Sequence, residues 1–306
     1  MSMNISQLSI RDIEYIVAVA EELHFGKAAL RLHVSQPTLS EQIKKLESHL
    51  ELKIFERSKR SVQLTDQGTE LIAIGKIILM HAQTFISLAK NKKHPLVGEF
   101  HLGAIATVGP YYLPYIIGPL RKAYPQLELI IEEGQTDDLL LKLDRGDLDA
   151  LIASRTFDEK RYRVYSLYKE PFWLAIPAEV KIKLRSGKVS VSDVDKENLI
   201  LLSDGNCLKD EVLDFCRLPR QKASTKNQAT SLVTLKYLVA GGNGSTFIPE
   251  LALYDDKKMK GLINYYPFLE KSAHREIVLV TREQYTRPDE IRLLYQKMKD
   301  HIPKFL

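Results

Sequence analysis

From Thr65 to Lys93 the chain reads TDQGTELIAIGKIILMHAQTFISLAKNKK, with Leu71, Ile74, Ile78, Phe85 and Leu88 near helical spacing and no proline before Pro95. One long helix is expected over 65–94. It divides the chain into a head, 1–64, and a body, 95–306, and its apolar stripe needs a partner: its own head or a second helix. With 44% hydrophobic residues among 306, both parts can have a core. The start, MSMNISQLSIRDIEY, has no cationic run leading into an apolar one, and no stretch nears the roughly 18 apolar residues of a membrane span. A cytoplasmic protein without membrane contact is expected. The net charge of +5 allows a nucleic-acid partner, and the placement of the positive residues decides its meaning.

Within the head, Ile13, Ile16, Val17 and Ala20 share a helix face, and a second helix, GKAALRLH, is expected after a break at Phe25-Gly26. A third begins at SQPTLSEQIKKLESHL, with Ser35 as N-cap and Pro37 in the first turn, where its missing N–H costs nothing. Leu39, Ile43, Leu46 and Leu50 face inward. Gln36, Thr38, Ser40, Glu41 and Lys44 are left outside, residue types that read base edges and hold phosphates. In LKIFERSKRSVQLT, Val62 and Leu64 alternate with polar neighbours after a turn made basic by Lys53, Arg57, Lys59 and Arg60, the pattern of a small hairpin wing.

Taken whole, HFGKAALRLHVSQPTLSEQIKKLESHLELKIFERSKRSVQLTDQG resembles the winged helix-turn-helix of LysR-type transcriptional regulators. The resemblance implies double-stranded promoter DNA as partner. Gln36, Pro37, Thr38 and Ser40 would enter the major groove and Arg60 would reach the neighbouring minor groove from the wing, with Ser35, Lys44 and Arg57 as further DNA-binding residues. Glu51 stands where the family commonly has a glycine in a left-handed helix cap. The resemblance also implies an antiparallel pairing of linker helices, a homo-oligomer that is a dimer of dimers, contact with RNA polymerase, and no cofactor.

In the body, FHLGAI, LELIIEE and LDALIAS read as strands alternating with helical runs, which indicates an α/β class with parallel strands. A second α/β set starts near Phe172, and EIVLVTR with a helix from Pro288 closes the chain. The resemblance implies a two-lobed, periplasmic-binding-protein-like regulatory domain, lobe I at 95–170 and 274–306 and lobe II at 171–273, with a small effector between the lobes in most relatives. A solute-binding protein or transferase could share the two-lobed fold, but the DNA-binding head and the lack of an export signal speak against both.

The only two cysteines, Cys207 and Cys216, sit in LLSDGNCLKDEVLDFC. If 207–216 is helical, they are separated by about 13.5 Å of rise, whereas a disulfide needs Cα atoms roughly 4.4 to 6.8 Å apart. Joining them requires unwinding. With Asn206 capping the helix, Cys207 would lie where the dipole favours a thiolate, so Cys207 is the expected attacked thiol and Cys216 the resolving one. Two inert core thiols fit the same spacing, and a zinc site fits it poorly; no metal is expected.

TVGPYYLPYIIGPL, EGQTDDLLLKLDRGDLD, LSDGNCLKDEVLDFC and HREIVLVTR are similar to the peroxide-sensing members of the LysR family. That similarity implies hydrogen peroxide as signal, a pocket of Thr107, Thr136, Asn206 and Arg275 around Cys207, refolding of about 205–222, and resetting by a cellular dithiol. Those relatives have histidine where Asn206 stands. The alternative within the family is a regulator sensing a small metabolite. Arg282, seven residues from Arg275, is expected on the opposite strand face as a surface or salt-bridge residue.

Overall fold

The structure is a computed structural model and describes residues 7–57, 62–90, 96–219, 228–253 and 259–306. It separates into two compact units, one of 1–94 with 144–147 and one of the remaining residues.

In the first unit, α1 (Ile10–Glu22) opens on a reciprocal cap between Ser9 and Asp12 and buries Ile13, Ile16 and Val17. Its neighbour α2 (Phe25–Arg31) starts at Phe25 rather than after it, because His24 Nδ1 accepts the backbone N–H groups of Gly26 and Lys27. At the head of α3 (Gln36–His49), the Ser35 hydroxyl accepts the Thr38 N–H and Pro37 occupies the first turn. Leu39, Ile43 and Leu46 are buried, and Leu50 is half-buried against them. The helix ends in the left-handed cap the family builds with glycine: Glu51 adopts φ 54°, and its N–H and that of Leu52 close onto Ser48 and Glu47.

An antiparallel pair, β1 (Phe55–Arg57) and β2 (Val62–Leu64), forms the wing base, and the Glu47 carboxylate accepts the N–H groups of Ile54 and Phe55. α4 (Asp66–Lys90) is capped by Thr65. Gly68 permits its entry, since a Cβ there would lie 2.2 Å from the Ile54 carbonyl oxygen. The apolar stripe is split. Ile72 is buried and Gly75 packs on Ile13 and Val17, whereas Ile74 and Phe85 are 55% and 77% exposed.

The second unit follows a sheet path β10-β6-β11-β5-β3-β4, with β9 added to β6. Its strands are β3 (Gly98–Ile105), β4 (Leu127–Gly134), β5 (Ala150–Ser154), β6 (Tyr162–Pro177), β7 (Leu201–Leu202), β8 (Gln228–Ala229), β9 (Thr246–Pro249), β10 (Ile263–Pro267) and β11 (His274–Arg282). Its helices are α5 (Gly109–Ala123), α6 (Thr136–Arg145), α7 (Cys207–Cys216), α8 (Leu232–Ala240) and α9 (Pro288–Asp300). Parallel pairing joins β3 to β4 and β5, and β7 to β8; β6, β9, β10, β11 and β5 meet antiparallel, so the sheet is mixed rather than parallel throughout.

Strand β6 is the spine. Tyr162–Pro171 pairs with β11, and Phe172–Pro177 continues into β9 and β10. Two apolar clusters form around these halves: one from Leu96 to Tyr168 with Ile277–Met298, the other from Phe172 to Ala273. Trp173 lies just past the crossing, half-buried, with Ile248 and Pro267 as register partners.

Arg282 corrects its expected role. A bulge between Ile277 and Val278 breaks the alternation from which its face was inferred, and its guanidinium donates inward to the carbonyls of Leu143 and Leu148 while lying 5.5 Å from the Tyr285 ring.

Candidate functional site

Both cysteines are reduced and buried, at the first and last residues of α7. The helix carries them into different cores. Leu208, Val212, Leu213 and Cys216 belong to the second cluster, but Cys207 belongs to the first. α7 therefore pins one lobe to the other. Its far end is held by the Lys196 ammonium, which donates to the Cys216 carbonyl at 2.8 Å, and by Arg217 in the left-handed region at φ 54°. Before the helix, Gly205 takes φ 84°, a left-handed conformation that glycine adopts without steric cost, with the Gln135 side chain packed against it.

Asn206 holds the N-cap position without capping. Its Nδ2 turns back and donates to the Ser203 carbonyl at 3.1 Å, which leaves the first-turn N–H groups uncapped by this amide. The expected thiolate is not favoured either. Burial pushes the Cys207 thiol up to about 11, and the Glu211 carboxylate adds to the rise; Arg275, Thr136 and the Leu208 N–H pull it back only in part. Desolvation outweighs the helix dipole because the sulfur lies in a core and not at a solvated helix end. Burial likewise pushes Cys216 up to about 11, against Lys196.

Arg275 organises the polar floor. It is the register partner of Glu170 in the middle of β6, and both side chains are fully buried. Its Nε donates to Glu170 Oε2 at 2.8 Å, its Nη1 to the Thr107 hydroxyl at 2.8 Å, and its Nη2 to the Thr107 carbonyl at 2.9 Å. The other Glu170 oxygen accepts the Leu251 N–H at 2.9 Å. This network ties the turn after β3, the crossing point of β6 and β11 into one unit. Thr136 Oγ1, the first side chain of α6, completes no hydrogen bond of ordinary geometry, yet it lies close enough to the Cys207 thiol to favour its ionisation. Thr107, Thr136, Asn206 and Arg275 are all buried here.

Three participants were absent from the sequence reading. Glu211, one turn beyond Cys207, takes a short hydrogen bond from the Ser154 hydroxyl on one oxygen, while its other oxygen is buried without a partner. Burial raises its carboxyl to about 6, Arg275 and Ser154 restrain it, and Glu170 and Asp210 add to the rise. Its i, i+4 relation to Cys207 was a usable signal. Glu170 and Ser154 had none, because non-local strand pairing brings them in. A groove of about 880 Å³ opens on the outer side of α7, bordered by Lys196, Glu211, Cys216, Arg217, His274 and Arg275. Among the described residues, no group of His, Cys, Asp and Glu is placed to hold a metal ion, and no helix is long and apolar enough to cross a membrane.

On the head, α3 exposes Ser35, Gln36, Pro37, Thr38 and Lys44, with Ser40 half-exposed. The Thr38 and Ser35 hydroxyls bond at 2.7 Å, and Glu41 is paired with Lys45 at 3.2 Å, leaving the Lys44 side turned outward. Arg57 begins the wing in its backbone; Arg60 lies outside the described residues.

A helix-turn-helix head with a hairpin wing, joined to a two-lobed domain through a long helix, is the architecture of a bacterial one-chain transcription regulator, and family models agree. Residues 10–69 match the bacterial regulatory helix-turn-helix of the lysR family, and residues 93–303 match the LysR substrate binding domain. The chain belongs to the LysR family of DNA-binding transcriptional regulators and, within it, to the OxyR group. It is 38% identical to the hydrogen peroxide-inducible genes activator of Dickeya chrysanthemi, over 96% of this chain and 95% of that one. It is 37% identical to the transcriptional dual regulator OxyR of Escherichia coli K12 with the same coverage. Among solved structures, full-length OxyR from Pseudomonas aeruginosa, in a variant form, matches with TM-score 0.80 and 35% identity over 95% of this chain and 97% of that one. A peroxide-bound variant of Corynebacterium glutamicum OxyR matches with TM-score 0.65 and 31% identity over 96% and 92%.

Proposed function

We propose that this chain is a cytoplasmic, hydrogen-peroxide-sensing regulator of transcription in which oxidation of Cys207 and its bonding to Cys216 change promoter binding. The observation that carries this reading is the placement of the two cysteines at opposite ends of one ten-residue helix, each in a different core. Peroxide oxidises the Cys207 sulfur to a sulfenic acid with release of water; the Cys216 thiol then displaces the hydroxyl as a second water, and the disulfide forms. The ends of α7 are about 13.5 Å apart along its axis, so the bond forms only if the helix unwinds and at least one cysteine leaves its core. Unwinding removes the pin between the lobes. Refolding is proposed for 205–222, of which 220–222 lie outside the described residues.

Arg275 and the threonine hydroxyls supply the chemistry the reaction needs. The guanidinium favours the thiolate and the departing hydroxide, and the hydroxyls can donate to and accept from a small peroxide. Asn206 keeps amide hydrogen bonding but carries no titrating proton.

For the head, the reading places α3 in the major groove through Gln36, Pro37, Thr38 and Ser40, with Ser35, Lys44, Arg57 and Arg60 on the backbone and wing. A dimer of dimers would be assembled through the exposed stripe of α4, and the oxidised form would be reset by a cellular dithiol and read by RNA polymerase. Each chain reacts once per reduction, so it is a switch and not an enzyme. The polar groove beside α7 favours one second reading, a small metabolite as effector.

Mass spectrometry of the two thiols after a brief low dose of peroxide, paired with promoter binding, tests the proposal. The expected result is a Cys207–Cys216 disulfide and altered DNA binding. Unmodified thiols, with binding that responds to a metabolite, would favour the second reading.

A further inference from the structure

We propose that Glu211 is the proton relay of the Cys207 reaction, taking the thiol proton on its unpartnered oxygen and delivering it to the hydroxide that leaves peroxide. The inference rests on the peroxide reading above and explains how a buried, protonated thiol could react at all.

Several features single out this carboxylate. α7 places Glu211 at i+4 from Cys207, on the same face. The Ser154 hydroxyl holds one of its oxygens, which orients the group and leaves the other buried and unused. Its neighbours cannot serve. Both Glu170 oxygens are engaged, by the Leu251 N–H and by Arg275. Arg275 does not release a proton in proteins, and the Asn206 amide does not titrate. Asp210, at i+3 from Cys207, is half-buried and adds to the rise of the Glu211 carboxyl, but unlike Glu211 it does not border the groove beside α7. Glu211 also borders the groove, as do Lys196 and His274, so its carboxyl has a route by which protons exchange with solvent.

The step balances. The Glu211 carboxylate accepts the S–H proton; the thiolate electron pair attacks one peroxide oxygen as the O–O bond breaks; the Glu211 carboxylic acid protonates the departing hydroxide. Cys207 ends as a sulfenic acid, peroxide as water, and Glu211 as the carboxylate with which it began.

The test compares full-length wild type, Glu211→Gln, Ser154→Ala and His274→Gln for the rate of Cys207 oxidation by hydrogen peroxide, read with a sulfenic-acid trap from pH 5 to 9. Wild type should show a rate that rises as the Glu211 carboxyl ionises near 6 and then levels. Glu211→Gln should be slower at pH 7 by about a hundredfold, the lower range for general acid–base catalysis, and should lose that rise. A purely electrostatic role predicts the reverse, because removing the negative charge lowers the Cys207 pKa and leaves Arg275 unopposed. An equal or faster Glu211→Gln therefore overturns the relay. Ser154→Ala keeps the carboxyl but removes a bond that stabilises its anion, so its rise should move to higher pH. His274→Gln should leave the rise in place, and a rise that disappears with His274 also overturns the relay. A wild type whose Cys207 is not oxidised at all refutes the peroxide reading itself, an outcome separate from a reactive wild type with an equally reactive Glu211→Gln.

Discussion

If closing the disulfide dismantles α7, weakening the packing of α7 should make closure easier. Leu213 is the sharpest probe, because it is fully buried in the second core and carries no polar role. Truncating a buried leucine to alanine costs about 2 to 5 kcal/mol where the side chain is packed. If the oxidised state has already lost that packing, the whole cost falls on the reduced form. For a two-electron couple, roughly 30 mV corresponds to 1.4 kcal/mol, so Leu213→Ala should lower the reduction potential of the pair by roughly 40 to 110 mV. Asp214→Ala, on the exposed side of the same helix, should shift it little. The assay is equilibration of the full-length protein in dithiol buffers with quantification of Cys207–Cys216. A Leu213→Ala protein whose melting temperature falls while its potential stays put would show that α7 keeps its packing in both redox states, and the latch would be refuted.

Three further outcomes follow from the site and the head. Arg275→Ala strands Glu170 as an uncompensated buried charge and should destabilise the regulatory unit by about 3 to 5 kcal/mol; thermal unfolding with little change would contradict the described network. Glu211 binds a proton more readily folded than unfolded, so between its ordinary value of 4.5 and about 6 stability should fall as pH rises. Glu211→Gln should remove that slope and stabilise the protein at pH 7 by up to about 2 kcal/mol, measured by denaturant unfolding across pH, even as it slows the reaction. On the head, Gln36→Ala should relax base preference at one position of each half-site by roughly 1 to 3 kcal/mol, whereas Lys44→Ala should weaken binding to all sequences and reduce the salt dependence by about one contact. Binding titrations on operator variants at several salt concentrations separate the two, and identical behaviour of both variants and wild type would reject α3 as the reading helix.

Signals that act within a few residues of one another were legible from the order of amino acids. Ser35 and Pro37 mark the start of α3, and the two cysteines mark the limits of α7, because caps, first-turn prolines and apolar spacing are local effects. The left-handed residue after α3 was legible as a position, though not that glutamate would occupy it at φ 54°. The split of the α4 stripe was not legible, since periodicity marks the apolar positions but not which of them a neighbouring helix covers. Strand alternation misassigned Arg282 because a single bulge in β11 resets the pattern.

The chemistry of the site lay beyond local signals. Helix-end logic favoured a thiolate at Cys207, and burial reversed the sign: the dipole acts weakly at one end of a short helix, whereas desolvation in a core acts on the whole charge. The amino-acid order supplied two thiols held apart by one helix, a local fact of spacing. Only the fold decided that those thiols belong to two cores, that Arg275 would meet Thr107 across 168 positions, and that Glu211, one turn from Cys207, would keep one buried oxygen without a hydrogen-bond partner. Charge and desolvation energies depend on distances through a low-dielectric interior, and those distances are set by strand pairings between residues far apart in the chain.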